Sequence, residues 1–246
     1  MLKFNFFRKI SIALIIGCGI PIVANAGVES EIHKMCSSVR DYKGCVELNS
    51  KKSSLPKCNF LNKKRACYGE ETFANADNPK KEDVYAGEFL NNNFHGKGTY
   101  TYADGDVYIG QFSEGFFQGK GTMIWGKGEW EGDKYVGDFL KDERTGKGVY
   151  TSANGDRYVG DFLNGESHGQ GTQTWNSGEY IGDKYVGDWV NGEMTGKGSY
   201  TWKNGDKYEG RWLNGNHHGQ GKYTWADGDS WNGIWLNDEQ VKENRI

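Results

Sequence analysis

The chain has 246 residues, 30 Lys+Arg against 33 Asp+Glu, and 37 glycines with only three prolines. A glycine content this high without a G-X-Y period excludes a collagen-like chain. Only five glycines and no tryptophan precede Tyr85, so composition breaks near residue 84, and charge breaks with it: residues 27–84 carry 11 basic and 9 acidic groups, residues from 85 on carry 16 and 24, a net of −8. That net charge argues against nucleic acid as a main partner and disfavours anionic lipid, because both require neutralisation by Lys and Arg.

The first 26 residues read as a secretory signal peptide. Lys3, Arg8 and Lys9 form a basic start, Ile10 to Ile16 and Ile20 to Val23 are apolar, and Ala24-Asn25-Ala26 is a small-residue cleavage site. The expected location is therefore periplasmic or extracellular. An alternative is a lipoprotein anchored at Cys18, because Ile15-Ile16-Gly17-Cys18 loosely matches a lipidation signal. The residues after Cys18 stay apolar and a good cleavage site follows, which favours soluble export.

Residues 27–84 form a cysteine-containing cap and linker. Ile32, Met35, Cys36 and Val39 fit a helical stripe, Gly44 ends it, and Lys57 to Ala66 suggests a second short helix. Cys36, Cys45, Cys58 and Cys67 are an even set in an exported chain, which reads as two disulfides. Cysteines nine apart in one helix would lie roughly 13 Å apart, beyond disulfide reach. Helical segments therefore favour the nested pairing Cys36–Cys67 with Cys45–Cys58, although spacing alone leaves three connectivities open. A metal site fits poorly, since short C-x2-C pairs are missing. Thr72 to Asp77 resembles a degenerate copy of Thr101 to Asp106 and reads as half a repeat that joins cap to array.

From Tyr85 the chain is periodic. Tyr85, Tyr108, Tyr135, Tyr158, Tyr185, Tyr208 and Trp231 are spaced 23, 27, 23, 27, 23 and 23 residues apart, each followed two positions later by glycine. Such a period means stacked supersecondary units rather than one closed core. In the first unit, Tyr85 to Leu90 reads as a strand, Asn91 to Gly96 as a turn, Gly98 to Tyr102 as a second strand and Ala103 to Asp106 as the next turn. Asn-Gly and Asp-Gly pairs at later turns supply the positive φ angles of tight hairpins. Alternation puts Tyr85, Gly87 and Phe89 on one face and leaves a more polar face opposite. Rings beside glycines can lie over bare backbone. Most aromatics are therefore expected to form the core of a single-layer sheet. Trp130, Tyr180, Trp202 and Trp225 are the candidates for partner binding. The first two sit on turns that are four residues longer in units two and four.

The pattern Tyr-x-Gly-x-Phe/Trp-x-Asn-Gly-x-x-His-Gly-x-Gly, complete in Tyr158 to Gly171, resembles the MORN (membrane occupation and recognition nexus) repeat. The likeness spans 85–238 as six full units and one truncated unit, followed by a charged tail at 239–246. It implies an all-β array of consecutive antiparallel hairpins in an elongated twisted sheet. It also implies an interaction or scaffolding module, in some members linked to membranes or phospholipids. The repeat histidine is kept as His95, His168 and His218 but is Gln118, Thr145 and Thr195 elsewhere, so it reads as a turn residue rather than a row of ligands. Asp104-Gly105-Asp106 and Asp227-Gly228-Asp229 lack the bidentate glutamate of a calcium loop. No nucleophile elbow, phosphate loop, kinase catalytic loop or zinc-protease motif occurs. The expectation is a non-enzymatic protein without cofactor or metal, which binds a protein partner, with glycan binding through exposed rings and self-association through the terminal strand as further possibilities.

Overall fold

In the computed structural model, residues 55–58, 64–74 and 82–241 are described. The signal peptide, the first cap helix, Cys36 and Cys45 lie outside them. Among the described residues fifteen strands follow in chain order, and contacts divide the chain into two units. The first holds β1 (Cys67–Ala74), β2 (Glu82–Leu90), β3 (Asn93–Thr101) and β4 (Val107–Ser113). The second runs through β5 (Phe116–Ile124), β6 (Lys134–Leu140), β7 (Glu143–Thr151), β8 (Arg157–Leu163) and β9 (Glu166–Thr174). It continues through β10 (Lys184–Val190), β11 (Glu193–Thr201), β12 (Lys207–Leu213), β13 (Asn216–Thr224), β14 (Ser230–Leu236) and β15 (Glu239–Gln240). Within each unit every strand pairs antiparallel with the next, as the hairpin pattern predicted.

The register lines up chemistry in rows. One row of the second unit is glycine on every strand from β5 to β14, from Gly121 through Gly137, Gly148, Gly160, Gly171, Gly187, Gly198, Gly210 and Gly221 to Gly233. The row two residues away holds rings at most positions, such as Tyr185, Tyr200, Tyr208, Tyr223 and Trp231. Each first tyrosine folds over the glycine strip. The Tyr185 hydroxyl donates to the Asp188 carbonyl three residues on, at 3.0 Å, and Tyr85, Tyr108, Tyr135, Tyr158 and Tyr208 repeat the bond. A Cβ on Gly187 would stand 2.5 Å from that hydroxyl, so only glycine leaves room for the ring. Tyr85, Tyr108, Tyr135, Tyr185 and Tyr208 are fully buried, although the described residues include no second sheet. Phe or Trp four residues on closes the ring's edge, as Trp189 does on Tyr185 at 5.3 Å.

The hairpin turns are tighter than the sequence suggested. Two residues make them: Asn91 and Asn92 have φ of 52° and 64°, and Asn164 and Gly165 have 50° and 81°, the both-positive signature of a type I′ turn. The predicted turn Asn91 to Gly96 is therefore mostly strand. Gly96 keeps a positive φ because the ladder shifts register between Gly87 and Glu88, a bulge that mimics a turn in sequence.

Between repeats a recurring carboxylate braces the next turn. Asp183 Oδ2 accepts from the Tyr200 hydroxyl at 2.6 Å, and Oδ1 accepts from the Lys203 backbone N–H at 2.8 Å. Asp83 does the same with Tyr100 and Ala103, Asp133 with Tyr150 and Ala153, and Asp206 with Tyr223 and Ala226. The Asp-Gly-Asp segments thus use one acid as brace: Asp106 Oδ1 accepts from Gly126 N–H. The other acid closes its own turn, as Asp227 Oδ1 does on Asp229 N–H.

The disulfide differs from the nested expectation. Cys58 bonds to Cys67, with Cα atoms 4.9 Å apart. The described part of the expected second helix is not helical: Lys57 bridges Tyr68, Cys58 N–H donates to the Tyr68 carbonyl, and Tyr68 N–H donates to the Pro56 carbonyl. An extended segment folded back on β1 brings these cysteines together, so the helical-rise argument does not apply, and Cys67 is not available to Cys36 nor Cys58 to Cys45. At the other end, Val241 N–H donates to the Ile234 carbonyl and β15 covers the end of β14 with two residues. A short, acidic last strand is a known way to blunt a sheet edge.

Candidate functional site

Each repeat carries one variable position nine residues after its first tyrosine. It is Phe94, Phe117, Arg144, Ser167, Met194 and His217 in the six repeats. In the first, third and sixth repeats its side chain lies against the repeat's own tyrosine and rings of neighbouring strands. Phe94 stacks on Tyr85 at 4.0 Å and His217 on Tyr208 at 3.8 Å. Arg144 fills its slot with a guanidinium 5.6 Å from Trp125 and Tyr135, 5.7 Å from Tyr150 and 5.9 Å from Phe162. Burial lowers its pKa from the usual guanidinium range, opposed by Tyr150, Tyr135 and nearby acids.

The fourth repeat leaves its slot unfilled. Ser167 replaces the ring, Gln173 stands where four repeats place tyrosine, and Ser152 of the third repeat stands where the others place Trp or Tyr. These three departures coincide at a groove of about 310 Å³. Trp130 and Trp175 wall it, Tyr158 and Phe162 lie on its aromatic side, and Arg144 reaches it from the third repeat.

Of the predicted partner-binding residues, the structure places Trp130 in this groove, half-buried on its long turn. Tyr180, on the equivalent turn, is 52% exposed, with its ring 6.2 Å from Trp175. Both turns leave the same edge of the sheet, since β5 and β9 run in the same direction. Trp202 and Trp225 are elsewhere. Trp202 is half-buried against Tyr200 and Tyr223, and Trp225 lies exposed on Tyr223 at 5.0 Å. The repeat histidines do not converge. His95 and His168 contribute backbone carbonyls that accept from Tyr85 and Tyr158. Among the described residues no three metal-ligating side chains gather.

Two residues escaped sequence reasoning: Arg144 and His217. Reading the ninth position down the six repeats would have exposed both as polar groups in an aromatic slot. His217 is buried among Tyr208, Trp212, Trp235 and Trp202. Its Nδ1 lies 3.3 Å from Asp238 Oδ1, outside hydrogen-bond geometry. Desolvation lowers its pKa below 6.5, and Asp238 offsets this only in part. The folded state therefore binds this proton less readily than the unfolded chain. Stability from the neutral ring is complete above pH 6.5 and falls as pH drops through the lowered value. His217→Phe, which copies Phe94, is expected to flatten the loss of thermal stability between pH 7 and pH 5. A melting series showing the same slope in both proteins would exclude His217 as its origin.

The opposite face is open. At the fifth residue after the first ring of each later repeat stand Leu140, Leu163, Val190, Leu213 and Leu236, 52%, 45%, 43%, 39% and 53% exposed. Beside this aliphatic row run cross-strand ion pairs, Lys120 with Asp138 and Lys147 with Asp161, each at 2.6 Å. A row of partly exposed aliphatics in register is more than the scattered apolar residues of an ordinary surface.

A comparison with curated proteins returns no match to the chain. Comparison with protein families finds the MORN repeat at residues 85–107, 108–130, 135–157, 158–180, 185–207 and 208–230. The matches begin at the six tyrosines that fold over the glycine strip, and the four-residue turn extensions fall between them. MORN repeats are generally protein- or membrane-interaction modules and not enzymes. The tandem matches cover more than half of the sequence, and the chain belongs to the MORN repeat family.

Proposed function

We propose that this protein is a non-enzymatic protein-interaction or scaffolding module of the cell envelope, exported after removal of residues 1–26. The observation that carries the interaction reading is the open aliphatic row from Leu140 to Leu236 on the face opposite the core. One face holds the fold together, which leaves the other free for a partner. The Cys58–Cys67 disulfide supports an oxidising compartment. The net of −8 from residue 85 on favours a protein partner over an anionic membrane.

Native capture from an envelope extract tests this. Wild type is expected to retain a partner that the triple variant Leu140→Asp, Leu163→Asp, Val190→Asp loses while keeping its β-sheet circular dichroism. Equal recovery by both proteins would remove the open face from the interaction. Co-sedimentation with anionic vesicles at physiological salt is expected to leave the protein in the supernatant, and pelleting would favour the lipid reading.

A further inference from the structure

The groove of the fourth repeat pairs a vacant ring position with an underused cation. In the first, third and sixth repeats the slot beside the first tyrosine is filled from within the chain, twice by a flat ring stacked at 4.0 Å or 3.8 Å. At Tyr158 the corresponding residue is Ser167, and the space is enlarged by Gln173 and Ser152. About 310 Å³ lies at the small end of ligand pockets. It suits one ring and a short polar extension.

Arg144 defines what that extension carries. Its Nη2 donates to the Gly165 carbonyl at 2.5 Å, which uses one of five N–H donors. Among the described residues it forms no ion pair with a carboxylate. The charges of Asp133 and Glu166 act on it through space, and the groove-wall acids Asp133 and Asp156 already hold other donors. Asp133 accepts from Tyr150 and Ala153, and Asp156 accepts from Asn176 and Ser177. Ring faces satisfy a guanidinium less well than a bidentate carboxylate does. Glu129 and Glu131, exposed at the mouth, oppose a ligand of multiple negative charge and so discriminate against phosphate-rich headgroups.

We propose that the groove binds the C-terminus of a partner polypeptide that ends in an aromatic residue. The ring takes the place of Ser167 against Tyr158, and the α-carboxylate pairs with Arg144. A terminal aromatic residue holds its ring and its carboxylate within one residue of each other and carries a single negative charge, which matches the slot, the cation and the acidic mouth. The proposal rests on the protein-interaction reading and names the part of the partner that this site recognises.

Titration calorimetry of the full exported chain with an acetylated tripeptide ending in phenylalanine tests it. The free acid is expected to bind, its C-terminal amide to bind at least tenfold more weakly, and the alanine-ended acid likewise. Ser167→Phe and Arg144→Met are each expected to abolish the binding. Both variants install residues that sister repeats already hold, Phe94 and Met194. If either variant loses its sheet signal, the comparison of acid with amide on wild type still decides. Equal binding of acid and amide, no binding of the acid at millimolar concentration, or tighter binding of glucuronate than of the peptide would each overturn the proposal. None of these results bears on the open face, whose capture experiment stands or falls separately.

Discussion

Gly198→Ala is expected to destabilise the second unit by about 3 kcal/mol or more, at the upper end of overpacking costs. The added methyl would meet Tyr185 Oη at 2.3 Å and its Cε2 and Cζ at 2.5 Å. Carbon atoms in good contact stand about 3.5–4.0 Å apart. The ring cannot retreat. It is fully buried, its hydroxyl donates to the Asp188 carbonyl, and Trp189 and Trp212 hold its edges at 5.3 and 5.2 Å. Because every nearest atom belongs to Tyr185, truncating that ring should relieve the clash. Tyr185→Ala alone costs about 3–5 kcal/mol through the lost ring. The double variant is therefore expected to fall short of the sum of the singles by more than about 1 kcal/mol. Gly187→Ala behaves differently, since its methyl would also meet the Gly198 Cα and the Lys197 carbonyl at 2.5 Å. Truncating the ring leaves that backbone clash in place. Urea unfolding followed by tryptophan fluorescence measures all five proteins. Simple additivity for the Gly198 pair would show that the ring is not what requires glycine there.

Asp183→Ala is expected to cost about 2–4 kcal/mol, from two orphaned partners at about 1–3 kcal/mol each with partial relaxation. The carboxylate is buried, and its two oxygens take separate donors, the Tyr200 hydroxyl and the Lys203 N–H. Asn at this position keeps one acceptor for the backbone N–H, and the Tyr200 hydroxyl can turn to accept from the new amide. Asp183→Asn is therefore expected to recover most of the loss. If Ala and Asn prove equal in chemical denaturation, the brace is electrostatic rather than a pair of hydrogen bonds. The same comparison at Asp206, which is only half-buried, should give a smaller effect because water replaces the lost partner.

Much of the fold was legible because a repeat states its rule several times. The tyrosine–glycine spacing gave the strands, the alternation gave the buried face, and Asn-Gly pairs gave the hairpins. The six-residue turn read at Asn91 to Gly96 shrank to two residues because a bulge glycine and a turn glycine look alike in sequence. The nested cysteine pairing followed from an assumed helix, whereas the local chain pairs with β1 through Lys57 and Tyr68. The candidate surface was legible only in outline. Trp130 belongs to a groove, but the groove exists because rings are missing at Ser152, just past β7, and at Ser167 and Gln173 on β9. Their meeting depends on register, and a reading that follows one repeat at a time does not compare them. His217 was passed over in favour of His218, its neighbour at the repeat's histidine position, although alternation puts the two on opposite faces.

The tyrosine that bonds three residues ahead and the hairpin that closes over two residues share a consequence for how the chain acquires its structure. Nearly every contact described joins residues of one repeat or of adjacent repeats, so no long loop must close before the first stable pairing forms. Folding can start at any hairpin and spread strand by strand. A chain delivered N-terminus first can therefore lengthen its sheet as it emerges, each new hairpin finding a ready-made edge, without waiting for the C-terminus.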